Sequence, residues 1–147
     1  MTEKRNHFAV IRRGDLFLVN LANEEESLWR PVLVIQNDIG NRFSNSVIVT
    51  PLIQKPRTTR FLFGVNIAAG QDNNLLEDYI VLLSQIRTIE KDRFNTGNFM
   101  GNLSTQSMAQ VDKALELSLG LSFIQRLESK QGRTEKIQKP PSNNVGS

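Results

Sequence analysis

Arg30 stands directly before Pro31-Val32-Leu33-Val34-Ile35, an apolar run that leads into the polar stretch Gln36-Asn37-Asp38-Ile39-Gly40-Asn41-Arg42-Phe43. A guanidinium at the mouth of a rigid strand has its position fixed before a ligand arrives. Its planar fork of donors stays charged, which suits a phosphate group. Most other chemistries are narrowed by the residues present. The one histidine, His7, lies in a polar N-terminal arm. A pair of histidines acting as acid and base is impossible within one chain, and a Ser-His-Asp arrangement needs His7 to fold back. With no cysteine there is no thiol nucleophile, disulfide or thiolate metal site. Zinc lacks nitrogen and sulfur ligands. The run Glu24-Glu25-Glu26, with Asp38 and Asp78, leaves carboxylate-bound magnesium open, although neighbouring loop carboxylates rarely converge unaided. Gly64, Gly70, Gly97 and Gly101 have neither the spacing nor the strand-to-helix setting of a phosphate loop. No metal and no cofactor are expected.

Gln85 and Arg87 are two residues apart in a run that reads as one strand, so they are expected to share a face. An amide beside a guanidinium can read a base edge and hold a phosphate. The bland alternative is a polar outer face on an ordinary strand. Lys55, Arg57 and Arg60 form a basic loop that could follow a nucleic-acid backbone or simply be solvated. Trp29 and Phe43 are candidates for stacking on splayed bases, and Asn37, which opens the polar loop after the strand, is a candidate RNA contact. For Arg30 itself the alternative is pairing with Glu24, Glu25 or Glu26, which would only fix the loop.

Elements must place these residues. Leu16 to Leu21 reads as a central strand entered by a turn at Gly14. Val32 to Ile35, mostly β-branched, reads as a strand buried on both faces. Asp38 to Ser46, rich in Asn, Gly and Ser, reads as a loop. Val47 to Ile53 is interrupted by Pro51, which predicts an edge strand or a bulge. Phe61 to Ile67 alternates with period two, and Tyr79 is expected to continue as strand through Ile86. Ser104 is a candidate N-cap for a helix with Met108, Val111, Leu115 and Leu119 on one stripe, widened by Ala114, Leu117, Leu121 and Ile124. Short strands followed by one good helix predict a mainly β fold with α, a small barrel-like sheet carrying a C-terminal helix. A single domain over 10–128 is expected, with a flexible arm at 1–9 and a disordered basic tail at 129–147.

Four stretches carry a family resemblance. They are Arg13-Gly14-Asp15-Leu16-Phe17-Leu18-Val19-Asn20, the Arg30–Phe43 segment, Leu83-Ser84-Gln85-Ile86-Arg87-Thr88-Ile89, and Gly101-Asn102-Leu103-Ser104 with Val111-Asp112-Lys113-Ala114-Leu115. Together, in this order, they resemble the MazF/PemK-type toxins, single-strand-specific endoribonucleases of toxin–antitoxin systems. The resemblance spans roughly residues 10–121. It implies an SH3-like, PemK-like barrel that pairs as a homodimer. It also implies a cytoplasmic enzyme, a cognate antitoxin as partner, and operator DNA bound together with that antitoxin. Arg30 matches the catalytic arginine, and residues like Gln85 and Arg87 line the RNA groove. Cleavage would use the substrate's own 2′-hydroxyl and leave a 2′,3′-cyclic phosphate and a 5′-hydroxyl, with no metal.

Three departures keep a second hypothesis open. The family's third strand carries a hydroxyl two residues after a proline, a position that Ile53 occupies here. Thr50 lies on the other side of Pro51, and a bulge there is needed to bring its hydroxyl to Arg30. Thr50 is the expected replacement. The loop from Ala22 to Trp29 is shorter than usual, and Ser84 stands where an acidic residue is common. The alternative is a catalytically weakened relative that binds nucleic acid as a transcriptional regulator. Charge does not decide between the two. Four of the 18 basic residues and one of the 15 acidic ones lie in 129–147, which leaves 14 of each in 1–128. No segment reaches the length of a membrane span.

Overall fold

A computed structural model describes residues 9–22, 27–58, 60–70 and 73–121. The strands are β1 (Asp15–Asn20), β2 (Trp29–Val34), β3 (Ser46–Gln54), β4 (Gly64–Ile67), β5 (Tyr79–Leu82), β6 (Arg87–Glu90) and β7 (Phe99–Asn102). A short helix, α1 (Asp38–Phe43), joins β2 to β3, and α2 (Thr105–Leu119) follows β7. The strands form a curled antiparallel sheet in the order β4-β5-β3-β2-β1-β7, with β6 also on β3. The expected barrel-like sheet with a C-terminal helix is therefore what the chain forms.

Apolar residues fill both faces of this sheet, as the unbroken run in β2 predicts. Leu33 and Ile35 join Leu16, Leu52, Val81 and Leu83 on the face covered by Val111 and Ala114 of α2. Val32 and Val34 join Phe17, Val19, Val47, Val49, Ile89 and Phe94 on the other. Ala9 and Ile11 pack there too, so Ala9 belongs to the core although the arm was expected to reach it. The rest of that arm, Ile124 and the tail lie outside the described residues. Ser104 caps α2 by accepting from the Ser107 N–H at 3.1 Å. Gly120 ends the helix in the left-handed conformation. No helix among the described residues is long and apolar enough to cross a membrane.

Four sequence expectations are corrected. The Asn- and Gly-rich stretch after β2 is not a loop but α1. Asn37 caps it by accepting from Gly40 N–H at 2.9 Å, and the buried Asn41 side chain donates to the Gln36 carbonyl at 2.9 Å. β3 is neither an edge nor bulged at Pro51. It pairs with β2 in steady register, Val32↔Pro51, Leu33↔Thr50 and Val34↔Val49. Its other side pairs with β6 over Ser46–Val49 and with β5 over Leu52–Gln54. The Ile48 carbonyl accepts from Ile35 N–H at 3.1 Å, so by alternation the nitrogen of Pro51 faces that other side. It falls in the gap between the two partners, where no donor is required. The strand expected from Tyr79 to Ile86 breaks after Leu82 into a turn, and β6 begins at Arg87. The strand expected from Phe61 begins only at Gly64. Residues 61–64 form a turn, with Gly64 N–H bonded to the Phe61 carbonyl at 3.3 Å and Phe63 at φ +59°.

Two carboxyls are shifted. Burial pushes Asp15 above the ordinary carboxylate range, partly offset by the Arg12 N–H bond. The Arg13 N–H and the Asn41 amide hold Asp38 below it. Arg13 ties these parts to α2 through its 2.7 Å contact with Asp112.

Candidate active site and nucleic-acid groove

Arg30 is the second residue of β2. Continuing the β2–β3 register two steps past Val32↔Pro51 sets it across from Ile53. Alternation puts both residues on the face that holds Val32, Val49 and Pro51. A cavity of about 550 Å³ opens there, lined by Arg30, Pro51, Ile53, Gln85, Ile86 and Arg87, with Leu21, Leu28, Phe61 and Leu82 completing its walls. The guanidinium of the half-buried Arg30 has no hydrogen bond or ion pair to a described residue. The alternative pairing with Glu24, Glu25 or Glu26 involves residues outside those described.

Gln85 and Arg87 reach this cavity differently from the expected shared strand face. Gln85 sits in the β5–β6 turn, where its N–H donates to the Leu82 carbonyl at 3.0 Å. Arg87 opens β6, and its guanidinium approaches the Leu21 carbonyl at 3.4 Å. The turn therefore brings together what a single strand was expected to align.

Thr50 is not in this cavity, which corrects its placement beside Arg30. With no bulge at Pro51, Thr50 lies on the opposite face, fully buried, three positions from Ile53. Its hydroxyl donates to the Leu82 carbonyl, the same oxygen that accepts from Gln85 N–H. Thr50 thus braces the turn that carries Gln85. Among the described residues, the lining side chains include no hydroxyl, carboxylate or imidazole.

Lys55 and Arg57 line a second cavity of about 440 Å³ together with Arg60, Phe61, Asn66 and Ile80. Asn37 lies beyond the far end of β2 from Arg30, and its side chain is used as the α1 cap. Trp29 is exposed beside Arg30 in sequence but does not line the cavity. Phe43 is exposed on α1, with the Arg42 guanidinium 5.2 Å from its ring centre. Among the described residues no group of three or more His, Cys, Asp or Glu side chains is placed to hold a metal ion. Sequence reasoning missed Phe61, which lines both cavities. Its position directly after the basic run was the available signal.

The profile of the PemK-like, MazF-like toxins of type II toxin–antitoxin systems matches residues 12–119. The chain belongs to this toxin family. It is 38% identical over 115 residues to endoribonuclease EndoA of Bacillus subtilis (strain 168), a match covering 76% of this chain and 97% of that protein. The fold is also that of solved family members. A mycobacterial endoribonuclease in complex with its cognate antitoxin matches at a TM-score of 0.61, with 24% identity, over 77% of this chain and 98% of that one. A MazE–MazF structure from Deinococcus radiodurans matches at 0.63, with 20% identity, over 78% of this chain and 100% of that one. In this chain the barrel sets Arg30, directly before Pro31, at the head of a cavity.

Proposed function

We propose that this toxin is a metal-independent endoribonuclease that cuts single-stranded RNA through the 2′-hydroxyl, with Arg30 as the principal catalytic group. The enzyme class is that of the family. The observation that carries the chemistry is the convergence of Arg30, Gln85 and Arg87 on one cavity, with Arg30 free of described partners. The 2′-oxygen attacks the adjacent phosphorus, the P–O5′ bond breaks, and a 2′,3′-cyclic phosphate and a 5′-hydroxyl result. A proton leaves the 2′-oxygen and one reaches the departing 5′-oxygen. The described lining side chains include no carboxylate, imidazole or hydroxyl, so on this reading water carries both protons. Arg30 stabilises the charge that builds on the non-bridging oxygens, a role worth roughly 10²–10³-fold per preorganised donor. Gln85 and Arg87 hold the strand in line for attack, with Lys55 and Arg57 on the backbone beyond.

The same reading takes the toxin as a cytoplasmic homodimer neutralised by a cognate antitoxin, with operator DNA bound by the two together. The deciding experiment incubates the pure protein with single-stranded RNA in EDTA and identifies the product ends. Cleavage with a cyclic phosphate supports the mechanism; a magnesium requirement, or equal cutting of DNA, overturns it. One observation favours a second reading, a weakened relative that binds nucleic acid and regulates transcription. Ile53 leaves the position beside Arg30 apolar, and Thr50 does not make up for it. Binding without measurable cleavage would select that reading.

A further inference from the structure

We propose that Phe61 is a base-stacking wall between two RNA subsites, the Arg30 cavity and the Lys55–Arg60 cavity, and so fixes how the strand crosses the catalytic arginine. This rests on the RNA reading of the Arg30 cavity. Among the described residues, Phe61 is the one that lines both cavities. On one side stand Arg30, Gln85 and Arg87; on the other, Lys55, Arg57 and Arg60. No described residue lining the second cavity is a carboxylate, and none of its three cations is ion-paired to a described residue. Two cationic subsites divided by a half-buried aromatic ring match the needs of a single strand. Its phosphates want cations, and its bases offer a flat face to an aromatic side chain.

The backbone that carries the ring is also held in place. Residues 61–64 close a turn through the Gly64 N–H bond to the Phe61 carbonyl, and Phe63 carries φ +59°. A non-glycine residue keeps such a conformation only where its surroundings enforce it. Here the Phe63 carbonyl accepts from Leu83 N–H at 3.3 Å, which docks the turn on the end of β5. Gly64 allows a close approach beneath it. A Cβ at that position would lie 3.1 Å from Ile80 Cγ2 and 3.3 Å from both the Cβ and the carbonyl oxygen of Phe61. The backbone that carries the wall is therefore set by the fold before any strand arrives, which lowers the ordering cost of stacking on it.

The test measures binding of a fluorescein-labelled 2′-O-methyl RNA, uncleavable and long enough to contain every trinucleotide, as a function of salt. Phe61→Leu keeps an apolar side chain but removes the aromatic face. It should weaken binding roughly tenfold or more without changing the salt slope. Phe61→Trp should restore affinity. A Lys55→Ala, Arg57→Ala double variant should instead lower the slope by about 0.7 for each phosphate that is no longer neutralised. Wild-type affinity in Phe61→Leu overturns the proposal and leaves the ring to a protein partner. Equal weakening in Leu and Trp variants with a lowered melting temperature also overturns it, since that marks a packing role. Cleavage of unmodified RNA by the wild type is scored separately. Binding without cleavage sinks the nuclease reading and keeps the wall, whereas failure of the wild type to bind sinks both.

Discussion

Arg30→Ala should reduce cleavage by roughly 10²–10³-fold and leave melting unchanged, because the guanidinium has no described partner to lose. Near-wild-type turnover in that variant would remove Arg30 from the chemistry. Ile53 and Thr50 separate catalysis from bracing in the same way. Ile53→Thr sets a hydroxyl across from Arg30, and general acid–base assistance is worth about 10²–10⁴-fold, so a rise in kcat is expected. Thr50→Val leaves the buried Leu82 carbonyl with one donor fewer and should cost about 1–3 kcal/mol of stability, while Thr50→Ser should recover most of it. A collapse of kcat in Thr50→Val with unchanged melting would return the hydroxyl to the active site. Asp15 gives a pH test. Its folded pKa is raised, so stability falls as pH climbs from the ordinary carboxylate range through the folded value and stays lower above it. Asp15→Asn keeps an acceptor for Arg12 N–H and should flatten that decline in a series of melting curves. The place of Arg30 at the head of a strand was legible in the sequence because its neighbours form a contiguous apolar run. Thr50 was not, since its role depends on a carbonyl 32 residues away.

At the scale of elements, the period-two and β-branched runs announced β1, β2 and β4, and Ser104 announced α2. The errors share a cause: tertiary partners decided where local composition was ambiguous. Asn, Gly and Ser between β2 and β3 read as loop, yet capping by Asn37 and the Gln36–Asn41 pairing close a helical turn. The apolar continuity from Tyr79 to Ile86 hid a turn that the shared Leu82 carbonyl holds together. Asn37→Ala should therefore cost about 1 kcal/mol, with Asn37→Asp largely neutral, as measured by denaturant unfolding. Activity should be unchanged in both, since α1 starts at the end of β2 away from Arg30. A raised KM for RNA with unaltered stability would give Asn37 the binding role that the sequence suggested.

For the molecule as a whole, 14 basic residues against 14 acidic ones in 1–128 mean that nucleic-acid affinity comes from local clusters and not from net charge. The salt slope for a bound strand should accordingly correspond to a few phosphates at about 0.7 each, and a slope near zero would rule the clusters out. Sedimentation at micromolar concentration should find a dimer; a monomer there would count against the expected pairing. Pro51 has a further consequence, for folding fidelity. β3 serves β6 and then β5 along one side, and its missing N–H falls in the gap between them. Sliding β3 by two residues along either neighbour would carry that imino nitrogen into a ladder position and forfeit a hydrogen bond, while sliding by one would exchange the residues packed on its two faces. Pro51 thus acts as a registration pin, penalising misaligned chains during assembly and guarding the pairing that sets Arg30 opposite Ile53.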